Sequence, residues 1–152
     1  LLSLILMLIG GSPGSTAGGL KTTTIAVVVI AVFAMAKGGD DINTFKRRIA
    51  SDVVKQSAVI ILIYLFAVML SSMIICSVEG LGMSQVLFET ASAAGTVGVS
   101  KGITNQISAI SKIILMIMMY GGRIGGLSLV LVFGQRKPEA PVKRPTEQIL
   151  IG

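Results

Sequence analysis

The amino-acid sequence predicts an all-α integral membrane protein made of repeated helix, pore-loop, helix units. Of its 152 residues, 53% are apolar and only 13% are charged, and the mean hydropathy is +0.87. A soluble domain carries roughly a quarter charged residues, so most of this chain is expected to face lipid or other buried helices. Long apolar stretches also alternate with short ones, and the short ones run into polar segments that contain glycine.

Two apolar stretches are long enough to cross a bilayer as helices, residues 53–78 and residues 107–133. A spanning helix needs about 20 residues at a rise of ~1.5 Å per residue. A third stretch, residues 20–36, is shorter and is followed by the polar run KGGDD at residues 37–41. We expect this third stretch to be a span with a broken or irregular inner end.

Two further apolar segments, residues 1–9 and 83–94, are too short to span, and each leads directly into a glycine-containing stretch. Inside a membrane, irregular backbone is tolerated only where protein or a water-filled cavity satisfies its amide groups. A half-helix followed by such a stretch therefore predicts a re-entrant pore loop. The chain also begins inside an apolar run without Met, which predicts the C-terminal portion of a longer protein.

Basic residues orient these segments, because nine of the 13 lysines and arginines lie in residues 37–55 and 134–152. Lys and Arg are enriched in cytoplasmic loops, so both regions are predicted to be cytoplasmic and both pore loops to lie in the outer half of the membrane. The basic run FKRR at residues 45–48 also suits nucleic acid, but between two spans a topological role is favoured. Lipid, and no nucleic acid, is the expected partner of these surfaces.

The two polar loops contain a repeated motif, Thr-apolar-Gly, whose glycines Gly18 and Gly98 are 80 positions apart. A dehydrated cation needs oxygen ligands, which a ring of backbone carbonyls supplies without a full charge in the pore. Such a ring requires φ values that favour glycine, so we expect Gly18 and Gly98 to adopt them. The half-helix 83–94 is expected to direct its negative C-terminal end at the ion. The predicted potassium-binding filter residues are Thr16, Ala17, Gly18, Thr96, Val97 and Gly98.

Other classes of function find little support in the residues. There is no His, the seven acids are scattered and the single cysteine is Cys76, so neither a metal cluster nor an acid and base pair is predicted. The first loop resembles a nucleotide-binding loop superficially, but Leu20 stands where that motif requires lysine and Lys21 follows one place late. The chain is therefore not expected to be an enzyme or to hold a cofactor, apart from the ion it transports.

Several segments resemble the Trk/Ktr/HKT superfamily of potassium transporters, most closely the KtrB-type (TrkH-family) potassium-translocating subunit. Residues 10–24, GGSPGSTAGGLKTTT, look like the third filter loop of those subunits, and residues 88–100, FETASAAGTVGVS, look like the fourth. Residues 122–126, GRIGG, resemble a Gly-Arg-apolar-Gly motif of the last span, and the closing residues 144–152 look like the short KtrB C-terminus. The resemblance covers essentially the whole chain.

The resemblance implies four covalently linked pore units around one pore, of which this chain holds two filter strands. Residues 1–36 would end the third unit, 37–52 would form a cytoplasmic linker and gate region, 53–133 the fourth unit with its filter at 95–100, and 134–152 a cytoplasmic tail. It further implies potassium uptake, often with sodium dependence, in the bacterial cytoplasmic membrane. The implied partners are a second pore subunit in a homodimer and a nucleotide-binding KtrA/TrkA-like regulatory subunit in the cytoplasm.

Arg123 lies within the last predicted span, where a charge costs about 2.5 to 3.5 kcal/mol on insertion scales. A functional role is favoured, and snorkelling of the side chain to the inner interface is the alternative. In the resembled family an equivalent arginine lies in the pore below the filter, and a flexible loop in the third unit acts as a gate. The resemblance thus implies a gate or barrier of Arg123 with Gly38 and Gly39, and with Asp40 or Asp41 as its acidic partner.

A sodium-coupled secondary transporter with alternating access is the alternative function, because broken helices and glycine-rich stretches near the membrane centre also mark such proteins. The two loops are predicted to point the same way, whereas many secondary transporters contain inverted repeats. The parallel orientation favours a pore.

Overall fold

A computed structural model describes residues 2–13, 15, 17–37, 43–44 and 47–124. Regular structure in these ranges is helical, except for one two-residue antiparallel pairing inside the predicted linker. The helices are α1 (Leu2–Leu8), α2 (Thr22–Ala36), α3 (Ser51–Glu79), α4 (Met83–Gly95) and α5 (Ala109–Ile124), and the strands are β1 (Asn43–Thr44) and β2 (Arg47–Arg48). The helical class predicted from the sequence is confirmed.

The longest helix is α3, whose 29 residues correspond to about 43 Å of helix. Its most apolar 18-residue window has a mean hydropathy of 2.8, and among the described residues it is the one helix long and apolar enough to cross a membrane. Large side chains such as Leu62 and Phe66 are exposed on its surface. The helix ends where Gly80 adopts a left-handed conformation and donates its N–H to the carbonyl of Cys76, at 2.9 Å.

Helices α2 and α5 begin at different residues from the spans predicted for them. Helix α2 begins at Thr22 rather than residue 20, because the backbone of Leu20 pairs with Ile9 in a parallel bridge. Helix α5 begins at Ala109 rather than residue 107 and is followed through Ile124. The rest of that predicted span, 125–133, and the predicted tail, 134–152, lie outside the described residues.

Helix α4 is the most enclosed element, because the half from Glu89 to Gly95 is buried throughout. It packs between α3, α5 and α1. Apolar residues of α3, α4, α5 and the loop after α4 form the core: Ile75, Val86, Ala93, Ile103, Ile107 and Leu115. Polar residues of α4 are paired inside this core, as where the hydroxyl groups of Thr90 and Ser72 lie 2.6 Å apart. The position of this short helix is therefore determined by its packing against the neighbouring helices.

Helices α4 and α5 approach each other closely at Gly122. A β-carbon at this position would collide with the carbonyl oxygen of Ala94, whereas one at Gly121 would meet no atom within 4 Å. The glycine-rich segment of the last predicted span therefore serves close packing at Gly122. Gly125 and Gly126 lie outside the described residues.

Candidate cation site at two loops

The two ends of the first loop, residues 10–20, are joined by backbone hydrogen bonds, because its last residue lies beside the end of α1. The N–H of Leu20 donates to the carbonyl of Leu8 at 3.2 Å, and the N–H of Gly10 donates to the carbonyl of Leu20 at 2.6 Å. The N–H of Thr22 then bonds to the carbonyl of Gly11 at 3.3 Å. These bonds satisfy backbone groups at the base of the loop, which a non-helical segment inside a membrane requires.

The ammonium group of Lys21 folds back onto this loop. Its Nζ atom donates to the carbonyl oxygens of Ala17 at 2.6 Å and Ser15 at 3.2 Å. Lys21 is also the N-cap residue of α2, where a positive charge is unfavourable next to the positive end of the helix dipole. Charge-assisted bonds to two carbonyls offset that repulsion and fix the loop. Sequence reasoning missed this role, although a lysine four residues after the loop's alanine was visible.

The two predicted loops meet through a direct hydrogen bond. The N–H of Gly18 donates to the Thr96 hydroxyl oxygen at 2.9 Å, across 78 positions of sequence. The N–H of Gly19 donates to the carbonyl of Gly122 at 3.3 Å, which adds α5 to the same junction. The structure therefore brings Ala17, Gly18 and Thr96 into one cluster, while Thr16 lies outside the described residues.

The expected backbone conformation is found at Gly98, where φ is +80°, but not at Gly18. In the first loop Gly19, one residue later, has a φ of +80°. Gly18 instead lacks a side chain for reasons of space, because a β-carbon there would lie 2.5 Å from the hydroxyl oxygen of Thr96. The prediction for Gly18 was wrong because motif alignment cannot distinguish a left-handed glycine from one at a close contact.

The second loop leaves the C-terminal end of α4. Thr96 is left-handed, with a φ of 53°, and its N–H bonds to the carbonyl of Ala93 at 3.1 Å. The N–H of Val97 bonds to the carbonyl of Ser92 at 3.0 Å, so the last turn of the helix holds the start of the loop. Val97 and Gly98 are exposed in this chain. The negative end of the α4 dipole thus lies at the beginning of the predicted filter residues.

A buried carboxylate, Glu89, holds the other end of the second loop. One of its oxygens accepts hydrogen bonds from the Ser100 hydroxyl and from the Lys101 N–H, the latter at 2.9 Å. Its second oxygen accepts a bond from the Thr104 hydroxyl at 3.2 Å. The ammonium of Lys101 lies over the ring of Phe88, 5.0 Å from its centre. Sequence reasoning passed over Glu89, although it is the one acid in the α4 segment.

A second carboxylate, Glu79, makes a comparable set of bonds away from the loops. It accepts hydrogen bonds from the N–H and hydroxyl of Ser108, at 2.9 and 2.5 Å, and from the hydroxyl of Ser111 at 2.5 Å. These contacts join the end of α3 to the beginning of α5. In the described part of the chain, no group of three or more His, Cys, Asp or Glu side chains could hold a metal ion.

A cavity of about 740 Å³ lies beside the junction of the loops, between α2, α3 and α5. Gly19, Ala94 and Gly122 form part of its wall. Arg123 follows Gly122 near the end of the described α5 and its side chain is exposed. Its predicted partners and neighbours in the gate, Gly38, Gly39, Asp40 and Asp41, lie outside the described residues.

Comparison with known proteins gives a consistent set of relatives. Residues 1–143 match the TrkH family, described as a cation transport protein. The Ktr system potassium uptake protein D of Bacillus subtilis is 37% identical over 147 residues, which are 97% of this chain and 33% of that protein. The potassium/sodium uptake protein NtpJ of Enterococcus hirae is 35% identical over an alignment of 158 positions, which covers 100% of this chain and 35% of that protein.

A further relative is the Ktr system potassium uptake protein B of Bacillus subtilis, 32% identical over 150 residues, which are 99% of this chain and 34% of that protein. The chain therefore spans about a third of the length of the curated relatives it matches. By their names these relatives take up cations, and none is named as an enzyme.

Proposed function

The chain belongs to the TrkH family of cation transport proteins, and on that premise we propose that it forms part of a potassium-uptake pore. Membrane localisation and cation uptake follow from the family and its relatives. The proposal adds a route: potassium crosses a filter to which this chain contributes the loops around Gly18 and Gly98. Two further loops of the complete protein would close the ring.

The observation that carries the proposal is the hydrogen bond from Gly18 N–H to the Thr96 hydroxyl. It places two glycine-containing loops side by side, each after a short helix and before a longer one. A ring of carbonyls is built from several loops that each supply part of the oxygen cage, so the loops that form one filter must lie close to one another. The exposed residues Val97 and Gly98 then face the part of the pore that the remaining units would complete.

Each of the two loops contributes three residues to the proposed filter, and the two sets have different neighbouring groups. In the second loop, Thr96, Val97 and Gly98 follow the negative end of α4, which favours a cation. In the first loop, the carbonyl of Ala17 already accepts a bond from Lys21. A carbonyl oxygen has two lone pairs, so Ala17 can serve the ion and the lysine together, and its neighbours Thr16 and Gly18 complete the set.

A gate below the filter is a separate part of the proposal. Arg123 follows Gly122, which contacts the end of α4 and borders the cavity, and we place its charge on the inner side of the loops as part of the proposal. We assign to Arg123 an electrostatic barrier whose charge Asp40 or Asp41 would neutralise, with Gly38 and Gly39 as part of the same proposed gate. Arg123→Ala should raise potassium flux and Arg123→Lys should retain the barrier, as measured in proteoliposomes. Equal flux in all three proteins, and in Asp41→Ala, would remove the gate.

The setting of the pore is proposed from the relatives. Two of them are named as parts of a Ktr system, which supports association with a cytoplasmic KtrA/TrkA-like nucleotide-binding subunit. We propose a homodimer of pore subunits in the bacterial cytoplasmic membrane, crossing it several times, with no cofactor other than the transported ion. Size-exclusion chromatography of the full-length protein with light scattering tests the dimer.

A sodium-coupled secondary transporter remains the alternative, because one relative is named a potassium/sodium uptake protein. Potassium flux in proteoliposomes made with the full-length protein distinguishes a pore from a sodium-coupled transporter. A pore carries potassium down its gradient in sodium-free buffer, and a sodium-coupled transporter requires sodium on the same side. No potassium flux under either condition would contradict the proposed function.

A further inference from the structure

Glu89 is a charged side chain that the proposed filter does not use, and it is only 7% exposed. Charged groups within membrane segments are costly, so a buried carboxylate must be satisfied by donors close by. Among the residues that the structure describes, the partners of Glu89 are two hydroxyl groups and a backbone N–H, with no ammonium or guanidinium group. The nearest lysine by sequence, Lys101, directs its ammonium over Phe88 instead.

All three donors lie in residues 100–104, which begin with the last residue of the predicted filter 95–100. Glu89 lies six residues before the end of α4, which is about 9 Å along the helix axis. The five residues from Thr96 to Ser100 are joined by four steps that span at most about 14 Å when extended, enough to return that distance beside the helix. The loop therefore leaves the helix end and runs back along its side to the carboxylate.

The second loop is consequently fixed at two points. The last turn of α4 holds its start through the carbonyls of Ala93 and Ser92. Glu89 holds its finish, and the residues between these points include the predicted filter positions Val97 and Gly98. A ring of backbone carbonyls selects an ion through the number and placement of its oxygens, so an anchor that fixes the backbone of the loop affects selectivity.

We infer that Glu89 is a positioning residue that fixes the outer end of the second loop and thereby contributes to the selectivity for potassium over sodium. The inference rests on the proposed function, since selectivity has meaning only if these loops conduct. Its essential feature is the set of hydrogen bonds rather than the negative charge. A neutral side chain that keeps those bonds should therefore preserve selectivity.

Glutamine at position 89 provides that neutral replacement. The amide oxygen of Glu89→Gln can accept both bonds now made to one carboxylate oxygen, and its NH₂ group can donate to the hydroxyl oxygen of Thr104. Alanine removes both acceptor oxygens and with them all three hydrogen bonds. We expect Glu89→Gln to retain the potassium-to-sodium flux ratio within about twofold, and Glu89→Ala to lower it about tenfold, equivalent to about 1.4 kcal/mol.

A matched control is available at Glu79, which also accepts three hydrogen bonds but joins α3 to α5 rather than bracing a loop. Glu79→Ala should lower thermal stability as Glu89→Ala does, with an unchanged flux ratio. If Glu89→Ala cannot be purified as a folded protein, Ser100→Ala with Thr104→Val removes two of the donors and keeps the carboxylate. That double variant should lower the flux ratio severalfold.

The experiment uses the full-length protein in proteoliposomes, with potassium and sodium fluxes measured under equal gradients. Wild-type protein without potassium flux would reject the proposed function itself. With wild-type flux present, an unchanged ratio in Glu89→Ala, or in the double variant if that is the one measured, would overturn the inference. An equal loss in Glu89→Gln, or in the Glu79→Ala control, would also overturn it.

Discussion

Gly98 allows a specific test of the second loop. There is space for a β-carbon at this position, so only the left-handed backbone conformation disfavours another residue. Its φ is +80°, and a β-carbon there would meet no atom within 4 Å. An L-amino acid in the left-handed region costs roughly 1–2 kcal/mol. Gly98→Ala therefore introduces that strain without a steric collision, and the loop can relieve it only by turning a peptide unit.

Turning a peptide unit reorients a carbonyl that the proposed filter needs. Gly80→Ala is the matched control, because Gly80 has a φ of +64° and equally open space, but lies at the end of α3. Both variants should lose about 1–2 kcal/mol of folding stability, measured by thermal unfolding in detergent. Only Gly98→Ala should lose potassium selectivity, measured as the potassium-to-sodium flux ratio in proteoliposomes. Equal flux ratios for the two variants would show that the backbone conformation at Gly98 does not determine selectivity.

Three further substitutions test the contacts around the loops. Thr96→Val leaves the N–H of Gly18 without its acceptor and should cost about 1–3 kcal/mol of stability, whereas Thr96→Ser should be nearly neutral by thermal unfolding. Gly122→Ala places a methyl group against the carbonyl of Ala94 and should cost about 1–3 kcal/mol, with Gly121→Ala as an unaffected control in the same assay. Lys21→Met keeps most of the side-chain length but loses two charge-assisted bonds, so it should reduce potassium flux more than Lys21→Arg does; equal fluxes would contradict that role.

Hydropathy was sufficient to predict the helical class and to place the long helix. The predicted span 53–78 lies within α3, Ser51–Glu79. A long apolar segment in a membrane must satisfy its own backbone hydrogen bonds, which a helix does, and the glycine that follows ends it. The half-helix ended one residue later than predicted, at Gly95. Leu20 was assigned to a helix because it is apolar, but its N–H and carbonyl are used by residues near α1 instead.

The contacts that organise the loops could not be predicted in the same way. Glu89 and Lys21 act on groups that face them only after the chain has folded back, and composition or spacing does not encode which carbonyl or hydroxyl group that will be. The exchange of roles between Gly18 and Gly19 has the same origin. Sequence indicates that glycine is required, whereas the neighbouring loop determines whether space or backbone conformation is the reason.

In the proposed pore, the loops around Gly18 and Gly98 together bind the transported cation. The most direct measurement is anomalous scattering from crystals of the full-length protein grown with thallium or rubidium in place of potassium. We expect anomalous peaks between these loops, within coordination distance of the carbonyl oxygens of Val97 or Gly98. Peaks confined to the cavity between α2, α3 and α5, or no peak at the loops of a protein that conducts potassium, would show that these loops do not bind the ion.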